Sequence, residues 1–466
     1  MKKFPLKNPL YSTHPKPATK HSRVRTSYAL LTGLVVSFFI AILAFLGGWT
    51  ASAHFGNLSS DAFATTALNN RPGNEATPAD LRDEFMVFWD VWNLVQEEFY
   101  RKEPLDQRKM VYGAIKGMLQ SLEDDYTSFQ EPEQAEKTRE SMEGKFEGIG
   151  VYMGFEDGQI TVERPIKGSP AMEAGLVTDD VILKVDGAEL DIVLEGLSEG
   201  EAMDKAATLI RGPKGSTVNL TILRPAEEHT FDVDIVRDEV PLISVYAQML
   251  NDEVAYMQLT EFKATTTEEM DEALRTLLAQ NPSSLILDLR NNPGGFLTTA
   301  QEVLGRFYEG VALYEEDSQG NIIELTTIKA PSDARVFDMP MIVLVNGNSA
   351  SASEIVAGAL AERRPNTTLL GEKSFGKGSV QNVHKLHDGS SARITIAHWL
   401  TPDKNEIHER GIVPDFVVPA SDDPQYQVPC ITDRDPPPDE QEQCNDAQLS
   451  WSLRLLTNPV ISPAFS

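Results

Sequence analysis

The sequence predicts a multidomain α/β protein: a membrane-spanning N-terminal helix, a helical segment, a small β-rich domain, a layered α/β domain and an acidic tail. Three observations predict it. Thr26 to Ser60 contains no charged residue. Residues 148–238 hold short alternating strands broken by glycine-rich turns. Residues 239–420 alternate buried-strand and helical patterns.

Residues 1–26 carry seven Lys/Arg and no acid, and the rest of the chain carries 34 basic against 70 acidic residues. That balance excludes nucleic acid as the main partner, because phosphate binding needs a basic surface. The apolar stretch 27–53 is long enough to cross a bilayer. The basic segment before it stays cytoplasmic, so the body lies outside. An uncleaved signal anchor is the expectation. A signal peptide cut after Ala51-Ser52-Ala53 is the alternative, and a cleaved form would be secreted.

Residues 54–79 read as a polar linker, and 80–147 as a helical region. Phe85, Phe88, Trp89, Trp92 and Phe99 recur at helical spacing, as do Met110, Ala114, Met118 and Leu122. Both stripes read as core. In 148–238, Gly148-Ile149-Gly150-Val151 opens a strand after a glycine turn, and Asp186-Gly187 closes a hairpin. In 239–420, Leu285–Leu289 and Met341–Val345 read as buried strands, with helices at Thr266–Gln280, Thr298–Phe307 and from Glu354. The tail, 421–466, is rich in Asp, Glu, Gln and Pro and reads as mostly disordered, with a short helix near Trp451–Leu456. It holds Cys430 and Cys444, which form either a disulfide or two free thiols.

Two strings carry chemistry. Asn346-Gly-Asn-Ser-Ala-Ser-Ala-Ser-Glu354 places serines in alternation where a strand meets a helix. Phe375-Gly-Lys-Gly-Ser-Val-Gln381 places a lysine between two glycines, 26 residues after Ser351. A serine hydroxyl needs a base, and a lysine serves as one only when burial drives its pKa down. Helix capping explains one serine; small residues on both sides of Ser351 suit a closely approaching substrate backbone. Gln381 would orient the amine if the segment is helical. Asp288-Leu-Arg-Asn-Asn-Pro-Gly-Gly295 ends a buried strand in two glycines whose amides could face an oxyanion. Gly371-x4-Gly376-Lys377 nearly spells a phosphate loop, but Gly378 stands where a Mg²⁺-binding hydroxyl belongs. His384, His387, His398 and His408 bring no carboxylate partner motif for a Ser-His enzyme. No metal site or cofactor is expected.

The order of elements in 148–238 resembles a bacterial-type PDZ domain, which implies that Gly148, Ile149, Gly150 and Val151 cradle a peptide's C-terminal carboxylate. With the serine, lysine and Pro-Gly-Gly strings and Gly411-Ile-Val-Pro-Asp415, the chain closely resembles the carboxy-terminal processing (tail-specific) proteases over roughly 80–420. That resemblance implies a crotonase-like core and a Ser-Lys endopeptidase cutting exported proteins near free C-termini. It implies Ser351 as nucleophile, Lys377 as base and Gln381 as the residue orienting it. Ala352 and either Gly294 or Gly295 would supply oxyanion amides. An inactive PDZ scaffold is the alternative, and homo-oligomerisation stays open. The Cys-containing tail has no counterpart in the family pattern.

Overall fold

The computed structural model describes residues 81–431 and 443–457. The expected membrane helix at 27–53, the linker 54–79 and the Pro-rich stretch 436–438 lie outside the described residues. Among the described residues no helix is long and apolar enough to cross a membrane.

The core sheet runs β7-β8-β9-β12-β13-β16: β7 (Val245–Met249), β8 (Val254–Leu259), β9 (Ser284–Asp288), β12 (Met341–Val345), β13 (Thr367–Gly371) and β16 (Phe416–Val417). Pairs from β8 onward are parallel and β7 is antiparallel to β8. Parallel strands are covered on both faces, so they read as unbroken apolar runs. One face (Ala255, Met257, Leu259, Leu285, Leu287, Val343, Val345) packs under α4 (Thr266–Leu278), α5 (Leu297–Leu304) and α6 (Ala352–Arg363). A second sheet joins β10 (Val311–Asp317), β11 (Ile322–Thr326), β14 (Ser379–Lys385) and β15 (Ser391–Leu400). The N-terminal region adds β1 (Ser128–Gln130) to β15 at Arg393.

The small domain is a sheet of order β2-β3-β4-β5-β6: β2 (Val151–Glu156), β3 (Gln159–Pro165), β4 (Val181–Val185), β5 (Thr217–Arg224) and β6 (His229–Val236). Helix α3 (Glu199–Ile210) buries Ala202, Ala206 and Ile210 against it. Asp186 and Gly187 both take positive φ, the backbone an Asp-Gly hairpin turn requires. Both chain crossings between this domain and the rest form one ribbon, Lys145–Gly148 paired with Asp238–Pro241.

Two expectations fail. The tail is not disordered at 421–431 and 443–457. Strands β17 (Gln427–Pro429) and β18 (Gln443–Asn445) pair, Cys430 is disulfide-bonded to Cys444, and helix α7 (Ala447–Thr457) follows. Val428, Leu449 and Trp451 pack on Tyr256, Ile286, Ile342, Leu344 and Leu370, the sheet face that α4–α6 leave bare. Average composition hid these few apolar side chains; the uncovered face explains their order. The aromatic stripe is not core either. Helix α1 (Arg82–Glu98) buries no residue, and Trp89 is 51% exposed. Helix α2 (Gln107–Gln120) buries Tyr112 and Leu119 against Phe129, while Met118 is 61% exposed. Helical periodicity reports an apolar face, not what covers it.

Leu449→Ala should lower unfolding free energy by about 2–5 kcal/mol in urea denaturation, because it empties a filled site on the sheet. No loss would mean that the tail is not part of the core.

Candidate active site

Ser351 sits at the end of the turn from β12 into α6, at φ 56° and ψ −116°. A side chain rarely adopts that backbone, and such strain is found where a residue is aimed for use. The flanking serines tie the turn down. Ser349 Oγ donates to the Leu289 carbonyl (2.8 Å) and Ser353 Oγ to the Asn292 carbonyl (2.8 Å).

The Glu354 carboxylate, fully buried, accepts four hydrogen bonds. They come from the Ser351 amide (2.9 Å), Ser374 Oγ (2.6 Å), the Gly376 amide (2.7 Å) and the Lys377 amide (2.8 Å). Burial pushes this carboxyl above its ordinary range, and the hydrogen bonds pull against that. One side chain thus joins the serine turn to the lysine loop. The sequence reading assigned Glu354 no role. Its signal was the Ser-x-x-Glu spacing of a capping box, visible at Ser351–Glu354.

Lys377 is 2% exposed. Its amine donates to Gln381 Oε1 (2.9 Å) and lies 5.2 Å from the centre of the Tyr126 ring, which the N-terminal region contributes. Burial, then the buried Arg393 cation, lowers its pKa to about 7, while Glu354 and Asp124 oppose. Gln381 Nε2 donates to Ser379 Oγ (2.8 Å) and Thr395 Oγ1 (3.2 Å), which turns its oxygen to the amine. The 379–385 segment is β14, not helix, and a bulge lies between Val380 and Gln381. The flanking glycines have a different reason from open access. A Cβ on Gly378 would lie 2.5 Å from the His408 amide, and one on Gly376 2.9 Å from that of Gly411.

The loop 288–295 lies against the serine turn. A Cβ on Gly294 would lie 2.8 Å from Ser351 Cβ and 2.9 Å from the Ala352 amide; one on Gly295 would lie 2.1 Å from the Phe262 carbonyl. The Gly294 amide is committed to Asn292 Oδ1 (2.8 Å). Among the described residues none accepts from the Gly295 or Ala352 amide. In the small domain, Gly148, Ile149 and Gly150 are buried beside the ribbon, and Ser169 Oγ donates to the Gly150 carbonyl (2.9 Å). Among the described residues no three His, Cys, Asp or Glu side chains gather as a metal site would need.

Residues 253–418 match peptidase family S41, 161–224 match a PDZ domain, and 47–134 match the activating protease CtpB N-terminal domain. The chain is 34% identical over 368 residues to the carboxy-terminal processing protease CtpB of Bacillus subtilis (strain 168), covering 76% of this chain and 73% of that one. It is 39% identical over 321 residues to CtpA of the same organism, covering 69% of this chain and 66% of that one. A solved photosystem II D1 C-terminal processing protease is 29% identical, with a TM-score of 0.41 over 72% of this chain and 93% of that one.

Glu354→Gln places an amide N–H where a carboxylate oxygen faces donors. It should lower stability by about 2–4 kcal/mol in urea unfolding and speed amide hydrogen exchange at 374–378. Unchanged exchange there would show that something else holds the lysine loop.

Proposed function

The chain belongs to peptidase family S41, the carboxy-terminal processing serine proteases, and on that premise we propose that it cuts exported proteins near their C-termini through Ser351 and Lys377. The observation that carries the reading is the Lys377 amine, buried, lowered to about 7 and held by Gln381. A neutral amine keeps a lone pair, and donating one N–H to Gln381 Oε1 leaves two directions in which that lone pair can point. The amine takes the Ser351 proton as Oγ attacks the scissile carbonyl. The Ala352 and Gly295 amides receive the oxyanion; Gly294 serves by making the close approach possible. The lysine ammonium then protonates the leaving amine, and the same group activates water to release the acyl chain.

The PDZ domain reads the substrate's free carboxylate at Gly148–Val151. Because Gly148–Gly150 are buried beside the ribbon, peptide capture there requires the domain to shift, which links binding to access at Ser351. The body works outside the cytoplasm, anchored through 27–53, and the Cys430–Cys444 disulfide supports an oxidising compartment.

Four outcomes test this. Incubated with an unstructured exported protein, Ser351→Ala should lose activity by several orders of magnitude. The protonated lysine is inactive, so kcat/KM should rise with pH through about 7. Lys377→Arg should be dead, since guanidinium stays charged; an active Lys377→Arg enzyme would remove the lysine from the chemistry. Amidating a peptide's C-terminus should slow its cleavage by the full chain, and equal rates for free and amidated peptides would remove the PDZ role.

A further inference from the structure

The tail that covers the sheet also reaches the loop beside Ser351. Arg290 stands four and five residues before Gly294 and Gly295. Its Nε and Nη2 hold the buried Asp288 carboxylate at 3.0 and 2.6 Å, and its own amide donates to Asp288 Oδ1 at 2.9 Å. Tyr256 Oη donates to the same carboxylate (2.8 Å). Guanidinium, carboxylate and backbone at 288–290 thus form one unit. The remaining arm, Nη1, meets two acceptors, and both come from the tail: Asp446 Oδ1 at 3.1 Å, with Oδ2 of the same carboxylate 2.8 Å away as an ion pair, and Gln448 Oε1 at 3.0 Å.

Both acceptors are themselves fixed. Gln448 is 1% exposed, and its Nε2 donates to the Val418 carbonyl (2.8 Å), which turns its oxygen to Arg290. Asp446 accepts the Leu449 amide (3.0 Å) at the start of α7, and its amide donates to the Tyr426 carbonyl (3.0 Å). Two residues earlier, Cys444 is bonded to Cys430 across β17 and β18.

Beyond Arg290 the loop is laced to the rest of the site. The Asn291 amide donates to Asn346 Oδ1 (2.9 Å), and Asn292 Nδ2 to the Leu259 carbonyl (2.7 Å). A planar guanidinium held on all its edges cannot rotate. We propose that Asp446 and Gln448 are positioning residues which, by gripping Nη1 of Arg290, set the 290–295 backbone and so the Gly295 amide relative to Ser351. The proposal rests on the reading of Ser351 as nucleophile and Gly295 as an oxyanion donor. Peptide-bond cleavage by this chain therefore depends on a tail that lies outside the matched peptidase region.

The test uses the full chain with Asp446→Asn, which keeps a helix-capping side chain but removes the charge, and with Gln448→Leu, which leaves that cap untouched. Each should lower kcat about 10–100-fold with KM within about twofold, since misplacing an oxyanion donor is felt in the transition state. The pH midpoint of kcat/KM should stay put, because Lys377 is untouched. Affinity for a peptide boronate, a tetrahedral analogue, should fall by the same factor as kcat/KM, and Asp446→Glu should recover part of both. Wild-type kcat in both variants overturns the proposal, and so does a lower kcat with unchanged boronate affinity. Ser351→Ala run alongside separates the two failures: a Ser351→Ala enzyme that still cleaves refutes the nucleophile reading itself.

Discussion

A carboxylate sealed from water organises this site. Taking the Glu354 charge out of solvent costs several kcal/mol, and four donors offset it: the Ser351, Gly376 and Lys377 amides and the Ser374 hydroxyl. Three of the four are backbone groups, so the carboxylate fixes main chain rather than rotamers. It clamps a strained serine turn to a lysine loop distant in sequence. It also sets a limit, since a negative charge this close raises the lysine's pKa. Burial and the Arg393 cation outweigh it, which leaves the amine near 7 instead of 10.5.

The core sheet imposes the second constraint. Its parallel strands are apolar on both faces, and α4–α6 cover only one. The tail covers the other through Val428, Leu449 and Trp451, and in doing so delivers Asp446 and Gln448 to Arg290. Fold stability and loop geometry are therefore coupled through one segment, closed by one disulfide.

Much of this was legible in the sequence where chemistry needs a fixed spacing. The strings around Ser351, Lys377 and Gly294-Gly295 sit together, and the Lys377–Gln381 contact exists, although a bulged strand makes it and not a helical turn. Glu354 was legible in principle, as the last residue of a capping box, but it read as an ordinary helix start. The tail was misread because polar residues make up about half of it and dilute a handful of apolar ones, and the partner they need is a sheet face specified 60–190 residues earlier. The α1 stripe was misread for the opposite reason: Phe85 and Trp89 have core-like spacing but no cover within the described chain. Tyr126 could not be found at all, since only the pairing of β1 with β15 brings its loop to the amine.

The central claim is that Lys377 is neutral at working pH because the fold keeps it dry. A ¹³C-lysine NMR titration of the full chain, with the Lys377 signal identified by its absence in Lys377→Met, measures this directly. The account predicts one lysine titrating near pH 7, apart from the bulk near 10.4. If the Lys377 signal titrates with the bulk, the amine is charged at neutral pH and the account is wrong.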